Sequence, residues 1–219
     1  MDSVRVCRVQ VTKTARYSML GPAPDEGKGV LFALHGYGQL APYFIRKFTA
    51  IAEAGWTVVV PEGGHRFYLK GSSGRVGASW MTREDRINDI DDLVAMLDGV
   101  RRDVFSGNLK KDAEKEKPVA LLGFSQGVPA ALRWAALGQF SFDQIIAHSG
   151  VFPSDLPSGA EPENGWPLVD MLIGNDDPYI TPAATEQVKS SGISCELHTF
   201  EGGHDIDAET VLGLLGKLA

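Results

Sequence analysis

Val119-Ala120-Leu121-Leu122-Gly123-Phe124-Ser125-Gln126-Gly127-Val128 is the stretch on which the reading of this chain turns. An unbroken apolar run closed by glycine reads as a short strand buried on both faces. The segment Val128–Leu137 that follows has a helical pattern. Between the two, Ser125 stands in Gly-Phe-Ser-Gln-Gly. A serine on a sharp strand-to-helix turn has its hydroxyl lifted above the sheet, and small residues must flank it. The five-residue pattern is weak alone; the strand before it and the helix after it give it weight.

Working outward, further β-rich runs recur at Val4–Val11, Gly29–Leu34, Trp56–Val60, Gln144–His148, Leu168–Ile173 and Ser194–Phe200. Helical patterns lie between them. Ile87, Ile90, Leu93, Val94, Leu97, Val100 and Val104 keep a 3.6-residue period. Thr181-Pro182 reads as an N-cap followed by Pro at the first helical position, and Val211, Leu212, Leu214, Leu215 and Leu218 form a short amphipathic helix. Strands alternating with helices predict one α/β domain over residues 1–219, with a mostly parallel central sheet flanked by helices. Such sheets gather their chemistry at the carboxyl ends of the strands.

A serine hydroxyl needs a base to become a nucleophile. Among His35, His65, His148, His198 and His204, only His204 lies downstream of Ser125, past the last strand and near the chain end. The preceding Gly202-Gly203 allows the sharp turn that would bring an imidazole over the sheet edge. A third group must orient that imidazole, and Gly174-Asn175-Asp176-Asp177-Pro178 offers two carboxylates after a strand. The order Ser, Asp, His is that of α/β-hydrolases. Leu34-His35-Gly36-Tyr37-Gly38 follows another strand and suits an oxyanion loop; its donors would be the N–H groups of Tyr37 and of Gln126. That loop lacks the spacing of a phosphate-binding glycine motif.

Leu34-His35-Gly36-Tyr37-Gly38, Gly123-Phe124-Ser125-Gln126-Gly127, Asp177-Pro178-Tyr179-Ile180-Thr181-Pro182, Gly203-His204 and Ser149-Gly150 together resemble the phospholipase/carboxylesterase family, which includes the acyl-protein thioesterases. The resemblance runs from about Gly29 to the C-terminus. It implies Ser125, Asp177 and His204 as a catalytic triad, with Asp177 rather than Asp176 as its acid. It also implies hydrolysis of carboxylic esters or thioesters without metal or cofactor. The chain departs from the family at Trp80-Met81-Thr82, where Trp-Phe-Asp is common, and in the Arg66–Leu69 and Arg75–Met81 stretches. Substrates would be selected there.

The residues between Gln144–His148 and Leu168–Ile173 are rich in Pro and Gly, so no cap domain and a rather open site are expected. The stretch from Pro61 to about Glu84 reads as a long functional loop whose Phe67, Tyr68 and Trp80 would wall the substrate. A net charge of −7 disfavours nucleic acid as a partner, and the Lys110–Lys117 stretch, with its interleaved acids, reads as a solvated loop. An acyl ester or other small-molecule substrate is the expected partner. Cys7 and Cys195, far apart, fit two free thiols in a reducing compartment; with no apolar leader and no membrane span in view, the cytoplasm is expected. The competing class is a non-catalytic α/β-hydrolase-fold binding module, which usually lacks a triad member; here all three candidates are present in order.

Overall fold

The computed structural model describes residues 3–106, 117–157 and 159–218; most of the charged stretch read as a solvated loop lies outside them. In chain order the strands are β1 (Tyr17–Leu20), β2 (Val30–Leu34), β3 (Thr57–Pro61), β4 (His65–Tyr68), β5 (Val76–Ser79), β6 (Val119–Phe124), β7 (Gln144–His148), β8 (Leu168–Gly174) and β9 (Glu196–Phe200). The helices are α1 (Ala41–Phe44), α2 (Thr49–Glu53), α3 (Arg86–Ser106), α4 (Gly127–Leu137), α5 (Pro182–Ser190) and α6 (Ala208–Leu215). Seven strands make one sheet in the order β1-β3-β2-β6-β7-β8-β9, and β4 pairs with β5 in a separate hairpin. Every pairing in the large sheet is parallel except that of β1 with β3.

The central strand explains the layering. All six residues of β6 are buried, and alternate side chains serve opposite faces. Val119 and Leu121 join one apolar cluster with Leu93 and Leu97 of α3 and Leu132 and Trp134 of α4. Ala120, Leu122 and Phe124 join another with Phe44 of α1, Ile51 of α2 and Leu214 of α6. Burying each large apolar side chain of β6 stabilises the fold by about 1.5–3 kcal/mol. A sheet covered on both sides leaves its strand ends as the place where polar residues can meet.

Two expectations need correction. Val4–Val11 is not a strand. The outer edge of β3 is taken by Tyr17–Leu20, whose register pairs Tyr17 with Pro61 and Leu20 with Val58. Residues 3–16 run as an exposed strap instead, tied down by Arg8 to Asp85, Lys13 to the carbonyl of Gly64 and Arg16 to Glu62. β-Branched content alone does not make a strand without a free ladder beside it. The stretch from Pro61 to Glu84 is likewise no plain loop, because β4 and β5 form an antiparallel hairpin within it. Between β7 and β8 the described residues contain neither helix nor strand, so no cap is inserted there.

Candidate active site

Four strand ends converge. β6 delivers Ser125, β8 runs into Asp177, β9 leads to His204, and β2 leads to the His35–Gly38 turn. Ser125 takes a left-handed conformation, φ 53°, which an L-residue adopts at a cost. Val128 N donates back to Ser125 O over 3.0 Å, and Ser125 N donates to His148 O over 2.9 Å. The turn is possible because its flanks have no side chains. A Cβ on Gly127 would run into the carbonyl oxygen of Leu34, and one on Gly123 into that of Gly127.

The structure brings Ser125, His204 and Asp177 into a chain. Ser125 Oγ lies 3.0 Å from His204 Nε2, and His204 Nδ1 lies 2.8 Å from Asp177 Oδ2. With a carboxylate on one side, the neutral imidazole carries its proton on Nδ1, leaving the Nε2 lone pair for the serine hydroxyl. Burial alone would raise the Asp177 pKa. Hydrogen bonds from His204, the N–H of Tyr179 and the hydroxyl of Ser149 outweigh it and hold the carboxyl below its ordinary value. Asp177 is buried at 8% exposure, whereas Asp176 is exposed and uses its backbone N–H to close the turn on Gly202 O at 2.9 Å. The ring of Tyr179 lies 4.6 Å from that of His204 on one side, and Phe124 lies 4.9 Å away on another.

The turn after β2 packs against the elbow, with Gly36 beside the Phe124 ring and Gly127 beside the carbonyl groups of Leu34 and His35. The N–H groups flanking Tyr37 are engaged: Gly36 N donates to Gln39 Oε1 and Gly38 N to Ala78 O, each over 2.8 Å. These bonds fix the turn in which the Tyr37 amide stands. The Gln126 side chain reaches the segment after the hairpin, donating from Nε2 to Ser79 Oγ at 2.9 Å and to Met81 O at 3.2 Å.

The three aromatic candidates separate. Tyr68 is exposed, and Phe67 is half-buried with its ring 5.0 Å from that of the exposed Tyr37. Trp80 is elsewhere. It is 1% exposed, donates from Nε1 to His35 O over 2.7 Å and packs its ring 4.6 Å from the His35 ring. The expectation that Trp80 walls the substrate therefore gives way to a place behind the His35–Gly38 turn, because its indole N–H finds its acceptor inside the protein. A cavity of about 520 Å³ lies beyond it, between the strap, Glu62–Arg66 and α3, and contains none of Ser125, Asp177 and His204.

The remaining histidines have other partners. His35 is buried, accepts from Gly63 N at Nε2 over 2.9 Å and contacts Gly36 O through Nδ1 at 2.8 Å; burial lowers its pKa and keeps it neutral. His65 lies 3.3 Å from Asp89, and His198 Nε2 lies 2.7 Å from Asp170, which Lys217 also approaches at 3.2 Å. Residues that the sequence did not single out also shape the site: Gln39 and Ser79 through their side chains, Tyr179 over the imidazole, and His148. Their residue types carry no pattern of their own, and only the fold brings them to the strand ends.

A family model described as Phospholipase/Carboxylesterase matches residues 19–215. The chain belongs to this family. Its members are carboxylic ester hydrolases, and the capless α/β-hydrolase fold agrees. Among solved structures, esterase PE8 superposes with a TM-score of 0.69 at 23% identity, covering 94% of this chain and 100% of its own. A carboxylesterase from Mesorhizobium loti gives 0.67 at 20%, covering 92% and 94%. Acyl-protein thioesterase 2 from Zea mays gives 0.64 at 16%, covering 93% and 99%. Comparison with curated proteins finds no match in sequence. Among the described residues, no helix is long and apolar enough to cross a membrane.

Proposed function

We propose that this family member cleaves carboxylic esters or thioesters through an acyl-enzyme on Ser125. The observation that carries the reading is the continuous chain from Ser125 Oγ to His204 Nε2 at 3.0 Å and from His204 Nδ1 to Asp177 at 2.8 Å. His204 takes the hydroxyl proton as Ser125 Oγ attacks the acyl carbonyl carbon. The N–H groups of Tyr37 and Gln126 stabilise the negative charge on the carbonyl oxygen. His204 then returns the proton to the departing alkoxide or thiolate. Water, deprotonated by the same imidazole, attacks the acyl-serine; His204 returns that proton to Ser125 Oγ as the bond to the acyl carbon breaks and the acid leaves. Asp177 stays ionised throughout, orienting the imidazole and stabilising its charged form.

Phe67 and Tyr68, with Tyr37 against Phe67, supply an apolar wall on the open side of the site. Two free thiols, Cys7 and Cys195, support a reducing compartment such as the cytoplasm.

The test is direct. A fluorophosphonate probe should label the wild-type chain at Ser125, and Ser125→Ala should abolish both labelling and turnover of p-nitrophenyl esters and acyl thioesters. Turnover at the wild-type rate in Ser125→Ala would overturn the assignment.

A further inference from the structure

Tyr37 and Gln126, whose N–H groups are proposed to hold the oxyanion, stand on different loops. The last ladder pair between β2 and β6 is Leu34 with Gly123. Each of the two residues lies three positions beyond that pair, past the reach of the ladder.

The end of β5 spans the gap. On one side it bridges to the turn after β2: Gly38 N donates to Ala78 O over 2.8 Å, and Ala78 N donates to Gln39 O over 3.0 Å. Gly77 runs so close to this turn that a Cβ there would stand 2.4 Å from Gly38 O. On the other side, the Gln126 side-chain amide lies along Ser79–Met81. Its Oε1 accepts from Trp80 N over 3.3 Å, and its Nε2 donates to Ser79 Oγ over 2.9 Å and to Met81 O over 3.2 Å.

The pairing is specific in its chemistry. A primary amide presents an acceptor and two donors, and here each meets its complement. The Ser79 hydroxyl gives its own proton to Met81 O over 2.9 Å, which leaves its oxygen to accept from Gln126 Nε2. Ser79, Trp80 and Met81 are all buried, so a bond left unmade there is costly. The elbow also needs holding. Ser125, with its φ of 53°, is a residue in a conformation that persists only when its surroundings over-determine it.

We propose that the Gln126 side chain is a positioning group and that the end of β5 ties the two halves of the oxyanion site together. Bonded to the Tyr37 turn at Ala78 and to the elbow at Ser79–Met81, β5 and the segment after it set the separation of the Tyr37 and Gln126 N–H groups. The proposal rests on these two groups serving the oxyanion and on Ser125 as nucleophile. It gives the Gln126 side chain a task distinct from that of its backbone. A change of side chain keeps the Gln126 N–H and only lets it move.

The experiment compares the wild type, Gln126→Met and Gly77→Ala. For each, kcat, KM and the pH profile are measured on a p-nitrophenyl ester, with thermal melting and inhibition by a trifluoromethyl ketone of the same acyl chain. Ser125 Oγ adds to the carbonyl carbon of that ketone, the serine proton passes to His204, and the carbonyl oxygen becomes an oxyanion with no group leaving. Gln126→Met keeps the length of the side chain and removes its hydrogen bonds; Gly77→Ala presses a methyl group on Gly38 O from the Tyr37 side. Each should lose roughly 10-fold in kcat with KM little changed, and the ketone should bind more weakly by about the same factor. The acid limb of kcat/KM should stay at the wild-type pH, because neither change adds a charge or replaces His204 or Asp177.

A folded Gln126→Met variant with wild-type kcat and ketone affinity overturns the proposal, whatever its melting temperature. So does a loss of kcat with ketone affinity unchanged or with the acid limb moved, which would place the fault in the relay. If Gln126→Met is not recovered folded, Gly77→Ala decides by the same readings. A wild type that neither hydrolyses the ester nor labels with fluorophosphonate removes the nucleophile assignment and this proposal with it; an active, labelled wild type with an indifferent Gln126→Met overturns this proposal alone.

Discussion

Trp80 donates its indole N–H to the carbonyl oxygen of His35 over 2.7 Å, at the start of the turn that carries the Tyr37 amide. A tryptophan in a stretch that the sequence marks as substrate-facing thus works from behind, as a brace for the His35–Gly38 turn. Trp80→Phe keeps most of the ring and removes the donor, leaving a buried carbonyl short of a partner at a cost of about 1–3 kcal/mol. The expected result is a lower melting temperature and a reduced kcat, with relative rates on esters of increasing acyl length unchanged. Phe67→Ala and Tyr68→Ala should do the reverse, shifting the chain-length profile with little loss of stability. Steady-state rates on an acyl series read both.

His148 makes the fold sensitive to acid. It is buried as the neutral ring, with a pKa of about 4 in place of the ordinary 6.5. Between those values the unfolded chain binds the proton and the native chain does not, so stability rises with pH across this window. The contribution is fully present above pH 6.5 and falls by about 3 kcal/mol as the pH drops toward 4. Melting temperatures measured from pH 7 to 4 should show this slope, and His148→Asn should flatten it.

Glu62 points the other way in chemistry but the same way in sign. Its side chain is wholly buried, and although burial alone would raise its pKa, hydrogen bonds from Arg16, Arg66 and Ala41 N hold it below 4.5. The carboxylate therefore stabilises the fold above pH 4.5, and that stability is lost as the pH falls through its lowered native value. Glu62→Gln should cost about 1–3 kcal/mol at pH 7, and the gap from the wild type should close on acidification. Denaturant titrations at pH 7 and pH 4 check it.

What the sequence made legible is what repeats locally. The β6 run, the glycines around Ser125 and the order of Ser125, Asp177 and His204 follow from the short range of strand, turn and helix rules. The choice of Asp177 over Asp176 rests mainly on the resemblance; in the structure Asp177 faces the imidazole and Asp176 the solvent. Val4–Val11 misled because β propensity says which residues suit a pleated surface, not whether a ladder is vacant. Trp80 misled because aromatic side chains wall pockets and fill cores with equal ease, and only the partner of its N–H separates the two. His148 was legible as a strand end and nothing more, since its partners come from segments brought near by the fold alone.

The strap gives the simplest check of that lesson. Residues 3–16 are exposed throughout, with Val4, Val6, Val9 and Val11 each more than three-quarters exposed. A chain lacking residues 2–12 keeps Arg16 and all of β1. It should fold, melt close to the full-length temperature and hydrolyse esters at the full-length rate. Loss of folding would restore a structural role to the segment.

At the elbow the margin is small. Gly127→Ala drives a methyl group into the carbonyl of Leu34, which belongs to the neighbouring central strand and cannot withdraw. Soluble folded protein should not be recovered from this variant, as judged by gel filtration and circular dichroism, whereas Ser125→Ala should fold normally.

The short cap-free connection between β7 and β8 has a kinetic corollary. An enzyme with no cover to lift spends no step opening, so its turnover should rise smoothly with substrate and show no jump when an amphiphilic ester crosses its micelle-forming concentration. It also places few steric demands on whatever the ester is attached to. Bulk far from the scissile bond, whether a polymer, a bead or a folded carrier, should project outward into solvent and leave the rate of hydrolysis unchanged.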